Sequence, residues 1–508
     1  NEFIANLGKE IQERGKISSI VHYHNSYFVG FLMDGILLLE KQKETDHYQI
    51  QSLPINSGVF CLKKDRFQDV VWIGTDGQGV YLYSNPLYSI KSMVLSNYTE
   101  KIERPVRAIY LDDERTFWVG TKGNGILKIY DYEFDKNISD CRAEVLTTSN
   151  SALSSNAVYC FAKSHRNLLW IGDEEGLTYY SYREKRIKSI PIRIGNEDFK
   201  YIHDIYETAD SELWLVSVGM GVVKARIAGT PDNPVIVDAQ RYIINDGELG
   251  SNYFFTIYAE NEANLLFGNK GYGVFRYNET TNGLEPVSTH KYENMTLNNI
   301  LAISKDSSNN YLFGTSYGLI KYTSETSYQL FNAKNGFLNN TIHAILRNSS
   351  DDFWLSTNLG LINFDTKRNV FRSYGFGDGL KVVEFSDGAA FRDSQTGTLF
   401  FGGINGVVAI RADGRPEQLY MPPVYFDKLS IFGEQYNLGE FLTRKKETEV
   451  LNLQYDQNFF SVSFASVDYL NGNNCTYFYK LKGLSDQWVN NGSESGVSFT
   501  NMAPGEYT

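Results

Sequence analysis

Few residues in this chain have the types and spacing that chemistry needs. Gly314-Thr315-Ser316-Tyr317-Gly318 has the G-x-S-x-G spacing of a nucleophile elbow. An elbow requires a strand-to-helix turn, however, and this segment lies between two strand patterns, in the same place as Gly74-Thr75-Asp76. No catalytic residue is expected there. His22-Tyr23-His24 sets two imidazoles on one face of a strand, a spacing that could hold a metal but that also suits a surface or interblade pair. Cys61, Cys141, Cys160 and Cys475 show no C-x-x-C pair and read as buried free thiols. Acidic turns such as Asp112-Asp113-Glu114-Arg115 lack a Ser-x-Asp-x-Gly core and read as solvated turns. With no phosphate loop either, neither a cofactor nor a metal is expected.

The chemistry that remains is binding. Sugars are recognised by aromatic faces that cover their C–H surfaces and by polar groups that bond their hydroxyls. One set of loops offers both. Its basic and imidazole members are Arg104, Arg107, Lys122, His203, Lys270 and His343. Tyr201, Tyr253, Phe254, Tyr272 and Tyr317 supply rings, and Glu384 adds a carboxylate.

These candidates are placed by a repeat. Trp72-Ile73-Gly74-Thr75 leads to Gly79-Val80-Tyr81-Leu82-Tyr83, and Trp118-Val119-Gly120-Thr121 leads to Gly125-Ile126-Leu127-Lys128-Ile129. Anchors of this phrase fall at Phe28, Trp72, Trp118, Trp170, Trp214, Leu266, Leu312, Trp354 and Phe400, spaced 42 to 52 residues apart. That is the period of a four-stranded propeller blade. An alternating strand, as in Ile202-His203-Asp204-Ile205-Tyr206, precedes each anchor, and a glycine turn follows it. A lone blade is an open sheet with two apolar faces, so blades must stack to bury them. Nine anchors exceed the common ring sizes. The division expected is the last blades of one propeller in residues 1–100, a seven-bladed ring in 101–415 and, after Met421-Pro422-Pro423, a β-sandwich in 421–508 truncated at its C-terminal end. The fold class is all-β. A single larger ring is the alternative.

Composition agrees with an all-β protein: 35 Tyr, 32 Phe and 43 Gly stand against 11 Pro. The formal charge of −12 repels phosphate backbones and anionic lipid, which argues against nucleic acid and polybasic membrane docking. No stretch has the roughly 18 apolar residues of a membrane helix.

The blade phrase, as in Ser154-Ser155-Asn156-Ala157-Val158 before Leu169-Trp170-Ile171-Gly172, resembles the regulator propeller repeat of glycan-sensing hybrid two-component regulators of gut bacteria. The tail resembles their triple-tyrosine domain, through Asn458-Phe459-Phe460-Ser461, Asp468-Tyr469, Tyr477, Tyr479-Lys480-Leu481, Trp488 and Pro504-Gly505-Glu506-Tyr507-Thr508. Phe28, Leu266, Leu312 and Phe400 depart from the family's Trp, and Trp214-Leu215-Val216-Ser217 lacks its Gly. The resemblance implies the periplasmic sensor part of an inner-membrane histidine kinase, non-enzymatic in itself, that binds an oligosaccharide and acts as a homodimer. Its membrane helix would lie outside this chain. A propeller glycan lyase or glycosidase, and a protein-interaction scaffold, are the competing readings.

Overall fold

The computed structural model describes residues 13–41, 48–84, 88–99, 102–244, 252–287, 298–324, 326–412, 422–445, 448–469, 475, 477–492 and 494–508. The chain divides into two compact units, Tyr88–Ala412 and a second formed by Asn1–Leu87 with Asp413–Thr508.

The first unit is a ring of seven four-stranded antiparallel sheets. Their innermost strands are Val106–Leu111, Val158–Lys163, Ile202–Glu207, Phe254–Asn261, Ile300–Lys305, Ala344–Arg347 and Phe385–Arg392, in blades 1 to 7. Each packs on the innermost strands before and after it, and that of blade 7 packs on that of blade 1, so the ring closes. Closure uses a strand from outside the expected boundaries. Tyr88–Val94, assigned from sequence to the preceding propeller, pairs with Gly406–Ala412 as the outer strand of blade 7. The boundary expected at residue 101 therefore moves to Tyr88, because blade 7 supplies only three strands of its own.

Both faces of each blade are apolar and buried against neighbours. Met93, Phe400 and Val407 of blade 7 share a cluster with Val106, Ile109 and Phe117 of blade 1. Two residues after the anchor stands a glycine in every blade of the ring but blades 3 and 6, which have Val216 and Ser356, and that glycine has a steric cause. A Cβ on Gly120 would lie 2.8 Å from Val158 of the next blade, and one on Gly268 2.9 Å from Ile300. Blade 3, which has Val216 there, packs it with Phe254.

The acidic turns are solvated only in part: Asp113 and Glu114 are exposed as the sequence suggests, but the first Asp of the turn is not. Asp112 is buried. It accepts from the Thr116 N–H (2.7 Å) and the Trp118 indole (2.9 Å), so it closes the turn and satisfies the buried ring nitrogen together. Asp306 and Asp393 are buried in the equivalent turns. Among the cysteines, Cys160 is buried but its counterpart Cys61 is exposed. Cys160 meets the next blade at Ile202, whereas no described blade follows the sheet that holds Cys61.

In the second unit, the sheet Ile17–Tyr23, Ser26–Phe31, Ile36–Lys41, Tyr48–Ser52 stacks beside a three-stranded sheet, Val59–Lys64, Val70–Thr75, Val80–Ser84. Both keep the blade pattern: a Cβ on Gly30 would strike Val59. His24 lies 2.5 Å from Asp69 and His22 packs on Tyr27, so the two imidazoles do not converge. The tail forms a sheet ordered Glu434–Tyr436, Val424–Ile431, Phe460–Ser466, Gly496–Phe499, with hairpins at Leu442–Lys445/Thr448–Leu451 and Tyr477–Tyr479/Val489–Gly492.

Candidate functional site

One backbone device, repeated around the ring, builds the channel mouth. In blade 1, Val106 pairs with Thr121 and Ala108 with Gly120, leaving Arg107 unpaired in a β-bulge. The same shift leaves out Tyr159, His203, Phe255 and Leu301 in blades 2 to 5. In blade 7 a longer irregularity between Phe385 and Ala390 contains Asp387. In blade 6, His343 precedes its strand and its N–H donates to Ser356 O. A bulge re-aims the extra side chain. Here it gathers Arg107, Tyr159, His203, Phe255, Leu301, His343 and Asp387 around the axis.

Contacts among these residues establish that they meet. The His203 ring stacks on Tyr159 (centroids 4.5 Å, planes 16° apart), and Phe255 meets His203 edge-on at 5.6 Å. Arg107 lies over the Tyr159 ring at 5.9 Å and its Nη1 is 3.7 Å from Asp387. His343 Nδ1 is 2.5 Å from Asp387 Oδ1, and its Nε2 is 2.7 Å from Asn358 Oδ1. One side of the mouth, blades 6 and 7, is thus knit by hydrogen bonds, while blades 2 to 4 present packed rings.

Burial and the Arg107 charge hold the His203 imidazole neutral, with its pKa pushed down to about 3 against the pull of Asp387. For Asp387, burial raises the carboxyl, but the His343 hydrogen bond and the nearby positive charges lower it further, so it stays ionised. Beneath the mouth is a cavity of about 200 Å³ whose lining includes Ile109, Phe161, Leu301, Ile345 and Asp204. Asp204 accepts from Thr256 Oγ1 and from the Ile257 N–H (2.7 Å), so it staples blade 3 to blade 4.

Of the residues singled out from sequence, Arg107, His203 and His343 come together at the axis. Lys122 and Tyr201 stand beside them, close enough for Lys122 to depress His203 and for Tyr201 to act on Tyr159. Arg104, Lys270 and Glu384 are exposed on the same face, at the hairpin turns or at the starts of inner strands. The backbones of Lys122, Lys270 and Tyr253 bridge neighbouring blades there. Tyr272 and Tyr317 lean back onto the interblade cores. Phe254 is a correction: it is 0% exposed between blades 3 and 4, because it precedes the bulge, and the ring that reaches the mouth is Phe255. Tyr159, Phe255, Asp387 and Asn358 were missed. The first two carry no local signal, because only pairing with the partner strand shows that they are skipped.

Comparison with known proteins adds a family assignment for the tail. Residues 468–508 match the Y_Y_Y domain. The chain is 24% identical over 423 residues to histidine kinase P4 of Formosa agariphila, covering 79% of this chain and 29% of that protein. It is similar to the extracellular domain of a hybrid two-component system, BT3049 of B. thetaiotaomicron, at 25% identity and a TM-score of 0.60, over 97% of this chain and 64% of that one. The extracellular domain of a second such system, BT4673, shares the fold at 18% identity and a TM-score of 0.53, over 97% of this chain and 66% of that one. The chain thus spans less than two thirds of the length of these relatives. The resemblance to the sensor region of hybrid two-component systems, drawn from sequence, is borne out.

Within the Y_Y_Y domain the tyrosines serve the fold. The Tyr477 hydroxyl is 3.1 Å from Ser466 Oγ, Tyr479 packs on Phe499, and the Tyr507 hydroxyl donates to Ala503 O. Gln68 of the three-stranded sheet donates to Val467 O and accepts from the Tyr469 N–H (2.8 Å), joining that sheet to the start of the domain. Among the described residues, no helix is long and apolar enough to cross a membrane.

Proposed function

We propose that this chain is the extracytoplasmic, periplasmic ligand-sensing region of a hybrid two-component regulator, and that it binds an oligosaccharide at the mouth of the seven-bladed ring. It is a sensor, not an enzyme, and passes the signal to a histidine kinase as a homodimer. The observation that carries the reading is the convergence of Arg107, Tyr159, His203, Phe255, His343 and Asp387 at one opening. Rings beside a cation and a carboxylate are what a polyhydroxylated ligand requires. The likeness to extracellular domains of hybrid two-component systems supports the sensing role. Signalling demands that the ligand favour one of two arrangements; equal affinity for both would move nothing.

Calorimetry of the chain against a panel of neutral and acidic plant, algal and host oligosaccharides tests this. Binding of at least one, weakened by about tenfold or more in Tyr159→Ala, is expected from loss of a buried contact. No heat with any member sinks the glycan reading, and product formation during the incubation would make the ring an enzyme instead.

A further inference from the structure

The two sides of the mouth differ in a way that points to a ligand. On blades 6 and 7, His343, Asp387 and Asn358 satisfy one another. On blades 1 to 3, none of the described residues hydrogen-bonds the side chains of Arg107, Tyr159 or His203, which touch each other only through their rings. Arg107 is the sharpest case. Its side chain is 15% exposed and its Nε is buried without a partner. Its contact with Asp387, at 3.7 Å, is too long for a hydrogen bond, and that carboxylate is already held by His343. Three other half-buried cations of the ring are bonded: Lys321 reaches Thr366 O, Lys91 reaches Phe134 O, and Arg115 reaches Asp393. A guanidinium carries five donors in a fork that fits a planar or tetrahedral oxyanion, so a largely buried one that no hydrogen bond holds is poised for such a group.

Tyr201 is a second, independent irregularity on the same side. Of the residues immediately before the seven mouth-forming strands or bulges (Pro105, Ala157, Tyr201, Tyr253, Asn299 and their counterparts), Tyr201 alone has a left-handed backbone, φ +55°, and its ring is 42% exposed. An L-residue with a large side chain rarely adopts that conformation, and here much of the side chain is open to solvent.

Building on the sensor reading, we propose that the blade 1 to 3 side of the mouth is an oxyanion subsite. Arg107 takes the carboxylate or sulfate of an acidic sugar, Tyr159 and His203 bond neighbouring oxygens, and Tyr201 covers the face of the ring. Lys122, exposed on the blade 1 hairpin, adds positive charge on the same side.

The test is calorimetry of the full chain against paired probes: oligogalacturonides, sulfated chondroitin and ulvan-type oligosaccharides, and the desulfated or carboxyl-reduced form of each. Carboxylated and sulfated arms separate the two sources of the oxyanion. The expected result is binding of an acidic probe that weakens about tenfold or more on removing its charge, in Arg107→Gln, and on raising ionic strength from about 0.05 to 0.5 M, with partial recovery in Arg107→Lys. Tyr201→Gly should melt at the same or a higher temperature yet bind more weakly, which a merely structural residue would not do. Equal binding of charged and neutral forms, or binding unchanged in Arg107→Gln, overturns the subsite while leaving the sensor reading in place. No binding of any probe overturns both.

Discussion

Asp173 shows what the ring does to a single polar group. It ends the anchor strand of blade 2 fully buried and accepts from the Ser154 hydroxyl and the N–H groups of Glu175 and Gly176, the turn that opens on the mouth. Burial outweighs those bonds and pushes its carboxyl up to about 6. Because the folded value lies above the unfolded one, the folded state holds the proton more tightly. The associated stability is fully present below about pH 4 and is lost as pH rises through 6. In Asp173→Asn the amide oxygen keeps the two turn bonds and no proton is exchanged. The stability of the native protein relative to this variant should therefore fall by about 2–3 kcal/mol between pH 4 and pH 7, as read by urea unfolding at each pH. A difference independent of pH would mean that Asp173 is ionised throughout. Its burial was not legible in the sequence, because Ser154, which bonds it, lies 19 residues away in the loop before the inner strand.

At the scale of the element, strand order and blade period were legible because the anchor glycine and the alternating run after it are local in sequence. The bulges were not. Val158-Tyr159-Cys160-Phe161 alternates as well with a bulge as without one, since only the partner strand reveals that Tyr159 is skipped. That is why Phe254 was chosen from sequence and Phe255 reaches the mouth. The anchor glycines and the bulges are one device: where the preceding blade has its glycine, the apolar residue just before the bulge fills the space that the glycine leaves. A Cβ on Gly172 would lie 2.4 Å from Cys160 Sγ and 2.8 Å from both Cγ2 and the carbonyl oxygen of Ile202. The carbonyl belongs to the blade 3 backbone and cannot swing away. Gly172→Ala should cost about 2–3 kcal/mol through overpacking. Gly195→Ala, whose Cβ meets nothing within 4 Å at φ +64°, should cost about 1 kcal/mol from backbone strain alone. Thermal melts of the two variants measure this ordering, and equal losses would remove the steric account of the repeat.

For the whole molecule, the count of seven blades followed from the anchors, but the closing strand did not. Tyr88–Val94 carries no glycine phrase and is followed by the blade 1 segment, so nothing local ties it to Gly406–Ala412. Its role is nonetheless large. Met93 is fully buried among Val106, Phe117, Phe400 and Val407, across the seam between blades 7 and 1. The approach there is close: a Cβ on Gly406 would sit 2.0 Å from Met93 O. An open array of blades is stabilised only by nearest neighbours, so freeing this strand exposes one face of blade 1 and one of blade 7 and leaves the other interfaces formed. Met93→Asp buries an unpaired charge at the seam and should cost about 3 kcal/mol or more. Hydrogen exchange then distinguishes a ring held by its seam from one held everywhere equally. Protection should fall first in Val106–Leu111, Phe117–Thr121 and Leu399–Gly403, while Asn264–Asn269 and Tyr311–Thr315, on the far side, keep theirs. Uniform loss across all seven blades would instead make the ring a single cooperative unit, in which Tyr88–Val94 matters no more than any other strand.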